Sequence, residues 1–177
     1  MTFISGVHGA GKSFFCDRLL ETTGIKSYSA SKLIEERKNI TFKADKLIAD
    51  IDDNQHYLID AVNSLRDQKA SFVIDGHFCL LDSDGNVTRI PEQTFLDLKP
   101  DAIVLLTERP EIIAERRKTR DGIENDIELI KRFQKEEVSY AQDVSEKMSI
   151  PMFISNGAGD IESAINFIQG GGDLCGR

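Results

Sequence analysis

The sequence contains no apolar run near the roughly 20 residues that a membrane-spanning helix requires. No charged segment precedes an apolar stretch at its start, which therefore reads without a signal peptide. Cysteine is scarce. Cys16, Cys79 and Cys175 are widely spaced and form no C-x-x-C pair, which argues for free thiols in a reduced, cytoplasmic setting. Histidine is as sparse, and His8, His56 and His77 lack metal-ligand spacing. Positive charge is in deficit, with 22 Lys and Arg against 30 Asp and Glu and a net charge of -8. A general nucleic-acid binder needs a basic face, so neither nucleic acid nor a membrane is an expected partner. A few local cations can still bind a nucleotide on an acidic protein.

What is present suits one α/β domain: 177 residues, 40% of them hydrophobic. Short apolar runs alternate with helical patterns. Strands are expected at Phe3 to Ser5, Ile25 to Ser29, Ser71 to Asp75, Asp101 to Leu106 and Met152 to Ile154. Helices are expected at Ser13 to Leu20, Ser31 to Arg37, Ala44 to Leu65, from Pro110 through Arg116, Asp126 to Met148 and Ile161 to Ile168. This alternation predicts a parallel sheet covered by helices on both faces, with ligands bound beyond the carboxyl ends of the strands. Gly6, Asp75 and Thr107 then share one sheet edge. The domain is expected over residues 1–169, with 170–177 as a flexible tail.

Gly6-Val7-His8-Gly9-Ala10-Gly11-Lys12-Ser13 fits G-x-x-x-x-G-K-[ST] between a strand and a helix. Glycines let successive N–H groups turn inward around an anion, and the following helix presents its positive end to it. Lys12 reaches the β- and γ-phosphates, and Ser13 ligates Mg²⁺. The expected donor site therefore comprises Gly6, His8, Gly9, Ala10, Gly11, Lys12, Ser13 and the adjacent Phe14, holding ATP. His8 reads as a variable loop position without a catalytic task. Asp75 closes an apolar strand and is the second expected Mg²⁺ group, with a strand-end cap as the competing reading.

The segment from Arg109 to Asp121 concentrates positive charge in an acidic protein. Arg116 and Arg120 are four apart and share a helical face; Arg117 and Arg120 are three apart. Phosphoryl transfer spreads charge over the moving oxygens, which arginine neutralises. Arg116, Arg117 and Arg120 are accordingly the expected catalytic arginines beside Lys12, with a solvated helix face as the alternative. The acceptor is expected against residues 26–70 and His77, with Ser31, Lys32, Arg37 and Gln55 as its contacts. Lys43 and Lys46 are further cations of this stretch. The end of the second expected strand, Tyr28-Ser29-Ala30-Ser31-Lys32, contains no carboxylate, and Mg²⁺ competes for Asp75. That favours an acceptor that is already phosphorylated over one that needs a base.

Together these motifs resemble the archaeal-type adenylate kinases, within the P-loop nucleoside monophosphate kinases. Besides the cradle, the resemblance rests on Val73-Ile74-Asp75-Gly76-His77, on Asp84-Gly85 through Pro91, on Pro100-Asp101 leading an apolar strand, and on Pro110 to Asp121. It implies a three-layer αβα P-loop NTPase fold with five parallel strands, ATP and Mg²⁺, and a short arginine lid at about 109–125. It also implies that Arg116 lies near the ATP base, Arg120 on the phosphates, and Asn156 and Ala158, in the loop after the last strand, against adenine. One position departs: where the family carries an AMP-site arginine, this chain has Glu35, and Arg37 comes two residues late. The expected activity is ATP-dependent phosphorylation of a small acceptor, first a nucleoside monophosphate. A hydroxyl-bearing small molecule, or a regulatory ATP-binding protein without kinase activity, is the alternative. Oligomeric state stays open.

Overall fold

The computed structural model describes residues 1–39, 47–48, 51–68, 71–122 and 126–172. The chain begins with β1 (Thr2–Ser5), α1 (Lys12–Thr23), β2 (Lys26–Ser29), α2 (Ala30–Lys38), β3 (Leu47–Ile48) and α3 (Ile51–Asp67). It continues through β4 (Phe72–Asp75), β5 (Cys79–Asp82), β6 (Val87–Arg89), α4 (Glu92–Leu98) and β7 (Ala102–Thr107). It ends with α5 (Pro110–Asp121), α6 (Ile127–Met148), β8 (Met152–Asn156), a 3₁₀ turn (Ala158–Asp160) and α7 (Ile161–Gln169).

The main sheet is parallel throughout, in the order β2-β4-β1-β7-β8. Its central strands are apolar because helices cover both faces. Phe3, Ile4, Val73, Ile74, Ile103, Val104 and Leu105 are buried. Removing each such side chain from water contributes about 1.5–3 kcal/mol. Helix α1 packs beside α7, while α3, α4, α6 and α5 pack in succession. The register aligns Ile4 with Asp75 and Ser5 with Leu105, so β1, β4 and β7 end at one edge, as the sequence implies.

Local chemistry sets the helix bounds. Helix α1 follows Gly11 without a side-chain cap and stops at Gly24, whose N–H bonds the Leu20 carbonyl. In α6, Asp126 caps the start by accepting the Glu128 N–H. Its inward stripe runs Ile130, Phe133, Glu137, Tyr140, Ala141 and Val144. Five members of that stripe are core residues of the expected kind. Glu137 is not.

Two expectations are corrected. The helix expected over Ala44 to Leu65 begins only at Ile51, and Leu47–Ile48 instead form a strand paired with Leu81 and Asp82. Pairing along the β5 edge prevails over local helical periodicity there. A second sheet, β3-β5-β6, was not expected, since its strands of two to four residues are too short to display a period of two. Its hairpin turns where Asp82 accepts the N–H groups of Asp84 and Asn86. Lys43, Lys46, Cys175, residues 123–125 of the expected lid and residues 173–177 of the expected tail lie outside the described residues. No described helix is long and apolar enough to cross a membrane.

Candidate functional site

The loop between β1 and α1 forms the cradle. Gly6 has φ +144°, and a Cβ there would stand 2.4 Å from the Leu106 carbonyl oxygen, so a side chain would push the loop off β7. Gly9 has φ +90°, and its Cβ would stand 3.1 Å from Ile113 Cγ2, which is how α5 packs onto the loop. The first N–H groups of α1 have no partner within the helix, and no side chain caps them. That is the condition for an anion to take their place.

Lys12 is buried, and its Nζ donates to the Gly6 carbonyl at 2.6 Å. The same Nζ stands 3.5 Å from His77 Nε2 and 3.9 Å from Asp75 Oδ1. Burial lowers the Lys12 pKa, opposed by the charges of Asp75 and Glu137. Burial raises the Asp75 pKa, opposed by Lys12. Asp75 Oδ1 is a buried carboxylate oxygen without a hydrogen bond. Ser13 and Asp75 line the same cleft. An orphaned carboxylate oxygen, a hydroxyl and an uncapped helix start fit a magnesium ion carried with nucleotide phosphates.

Behind this group sits the residue that the sequence reading missed. Glu137 is 1% exposed. Its carboxylate accepts from Ser5 Oγ, from Phe78 N at 2.9 Å and from Cys79 N at 2.6 Å. It also lies 3.9 Å from His77 Nδ1. Burial raises its pKa, while the three donors pull it back. One carboxylate from α6 thus ties the end of β1 to the connection that carries His77. The available signal was a glutamate inside an otherwise apolar stripe of α6. The His77 ring packs 4.3 Å from that of His8, so the two histidines meet under the loop.

The expected arginine set divides. Arg116 and Arg120 line the cleft. Arg116 donates to the Gly9 carbonyl at 3.2 Å and to Glu108 at 3.1 Å, and Arg120 pairs with Asp121 at 2.6 Å. Arg117 is one step round the helix and is absent from the cleft wall. Its Nε donates to the His8 carbonyl at 2.7 Å, and burial lowers its pKa. Asn156 and Ala158 also lie off the cleft wall. Asn156 ends β8, where its N–H is held by Asp160, and Gly157 abuts Glu108.

The cleft measures about 700 Å³ and runs from the cradle past Asp75 to α2, α3 and α4. Phe14, Ser31, Lys32, Gln55 and His77 line it. Arg37 does not; it donates to Ser64 at 2.8 Å and faces a neighbouring cavity. Glu35 and Asp121 bring two further carboxylates to the cleft.

A family model described as an AAA domain matches residues 5–134. The chain belongs to this AAA-domain family. Its fold is that of the P-loop kinases. It superposes on a gluconokinase from Sinorhizobium meliloti with a TM-score of 0.54 at 16% identity, covering 96% of this chain and 89% of that one. A shikimate kinase from Bacteroides thetaiotaomicron gives 0.58 at 14% identity, covering 96% and 95%. The Acinetobacter baumannii shikimate kinase in complex with shikimate gives 0.55 at 14% identity, covering 95% and 89%. No curated protein matches the chain. The expected resemblance therefore holds at the level of the P-loop kinase fold and does not single out adenylate kinases.

Proposed function

We propose that this AAA-domain protein is an ATP-dependent kinase that phosphorylates a hydroxyl group of a small molecule. The observation that carries the reading is Asp75, a partly buried carboxylate with one buried, unbonded oxygen, on the cleft wall between the cradle and the proposed acceptor half. Preference for a phosphorylated acceptor rested on the want of a spare carboxylate. The cleft wall instead carries Asp75, Glu35 and Asp121, while Arg37 is bonded to Ser64 and lines the adjoining cavity. The gluconokinase and shikimate kinase folds support the same class of acceptor.

In this reading Lys12 leaves the Gly6 carbonyl for the β- and γ-phosphates, which the loop N–H groups surround. Arg116 and Arg120 neutralise charge on the transferred group, with residues 109–125 as a short lid and residues 26–70 as the acceptor region. Arg117 acts through the loop it braces. Ser13 would hold magnesium, which would neutralise phosphate charge when bound, and Asp75 is kept for the acceptor proton. The acceptor oxygen forms its bond to the γ-phosphorus as the bond to the β–γ bridging oxygen breaks. ADP leaves, and the hydroxyl proton passes to Asp75. Burial strengthens Asp75 as a base, and Lys12 keeps it ionised.

The test is coupled ADP release across alcohols and nucleoside monophosphates, with the product identified by mass. Acceptor-dependent formation of a phosphomonoester from an alcohol supports the reading. Conversion of monophosphates to diphosphates alone, or hydrolysis that no acceptor stimulates, overturns it.

A further inference from the structure

Beyond Asp75 the cleft wall turns apolar. Phe3, Ile34, Leu58, Phe95 and Leu98 line it, each at most 6% exposed. The Phe3 and Phe95 rings meet edge to face at 5.5 Å, and Phe95 stacks on Phe78 at 4.5 Å, so this wall is fixed by packing. Among it stand three buried polar side chains, Asn54, Gln55 and Thr94. Lys38 donates to Asn54 Oδ1 at 2.8 Å, which sets the carbonyl of that amide toward Lys38 and leaves its NH₂ as a donor.

Charge on the wall is of both signs, with Glu35, Asp75 and Asp121 as its carboxylates. Among the described residues its cations are Lys12, Lys32, Arg116 and Arg120. Lys12 and Arg116 hold the loop, Arg120 is paired with Asp121, and Lys32 is exposed. Among the described residues, a carboxylate or phosphate seated among Phe3, Leu58, Phe95 and Leu98 would find the cations already engaged, Lys38 by Asn54, Lys12 and Arg116 by the loop and Arg120 by Asp121, and the cleft wall adds the carboxylates Asp75 and Glu35. Burying an unpaired anion is strongly unfavourable. A flat apolar ring with a hydrogen-bonding edge has the opposite fit: its faces meet Leu58, Leu98 and the phenylalanines, and its edge meets the two amides and Thr94.

We propose that the acceptor is an uncharged alcohol bearing a heteroaromatic ring, of nucleoside type, with the ring in the apolar end and a hydroxyl toward Asp75. This rests on the hydroxyl-kinase reading above and narrows its substrate class.

The experiment gives the wild-type protein ATP, magnesium and three sets of acceptors: nucleosides, the corresponding monophosphates, and the carboxylate alcohols gluconate and shikimate. Phosphomonoester formed on a nucleoside with kcat/KM at least about tenfold above every anionic acceptor supports the proposal. Higher kcat/KM on gluconate or shikimate overturns it and leaves the hydroxyl-kinase reading standing. Turnover of monophosphates alone, or of no acceptor, overturns both. Gln55→Leu should raise KM for the best nucleoside about tenfold or more while kcat stays within about threefold, as loss of a ring-edge contact requires. An unchanged KM in that variant contradicts the placement of the ring edge.

Discussion

Lys12 Nζ stands 3.9 Å from Asp75 Oδ1 but spends its hydrogen bond on the Gly6 carbonyl, at 2.6 Å. The cation is thus held against the loop, close to the carboxylate, and in the proposed mechanism it moves to an arriving phosphate. Lys12→Ala should lower kcat on the order of 10²–10³-fold, as removal of one electrostatic group at a transition state does. Single-turnover kinetics check this. Turnover within about threefold of wild type would remove Lys12 from the chemistry.

Arg117 separates a bracing role from a catalytic one. Its Nε holds the His8 carbonyl at 2.7 Å behind the loop. A hydrogen bond to a charged group contributes about 1.5–3 kcal/mol. Arg117→Met should therefore raise KM for ATP by roughly tenfold or more and speed amide exchange at residues 7–10, with a smaller change in kcat. A loss confined to kcat, with exchange unaltered, would assign Arg117 to the transferred phosphate instead.

Gly76 supports the cleft floor. A Cβ there would stand 2.7 Å from Phe3 Cζ and 3.5 Å from Ala30 Cβ. Gly76→Ala should displace the Phe3 ring, cost about 1–3 kcal/mol of stability as overpacking does, and raise acceptor KM. Thermal unfolding beside steady-state kinetics measures both. Wild-type values for both would show that the Phe3 wall yields without consequence.

The cradle end of the cleft, the proposed donor half, was legible because its residues are local. Gly6 to Ser13 are consecutive, and a strand-end Asp75 needs only one apolar run before it. The far end, the proposed acceptor half, was not, because its residues meet only through topology. Phe3 lies on β1, Leu58 on α3 and Phe95 on α4, which follows an unexpected hairpin. Arg117 was grouped with Arg116 and Arg120 by local charge and its three-residue spacing from Arg120, and one step of helical rotation takes it off the cleft wall and onto the His8 carbonyl. Glu137 was hidden because a long charged helix offers many glutamates, and only packing shows which one is inside.

Glu137 makes stability depend on pH. Burial holds its folded pKa above the ordinary 4.5, so the folded protein keeps a proton that the unfolded chain releases. Its contribution is then fully present below the unfolded pKa and is lost as pH rises from 4.5 through the folded value. Urea unfolding of wild type should lose stability over that window by up to about 1.4 kcal/mol per pH unit from this group. Glu137→Gln should show a shallower slope. Parallel slopes for the two proteins would contradict the raised pKa.

The most direct test of the central claim is Asp75→Asn, assayed for both ATP affinity and acceptor-dependent turnover. Asparagine keeps the shape and the place of the side chain but cannot take the hydroxyl proton. The account predicts that ATP affinity stays within about threefold while turnover on an alcohol falls about 10²–10⁴-fold, as loss of a general base does. Turnover on an alcohol within about tenfold of wild type, with ATP still bound, would contradict it.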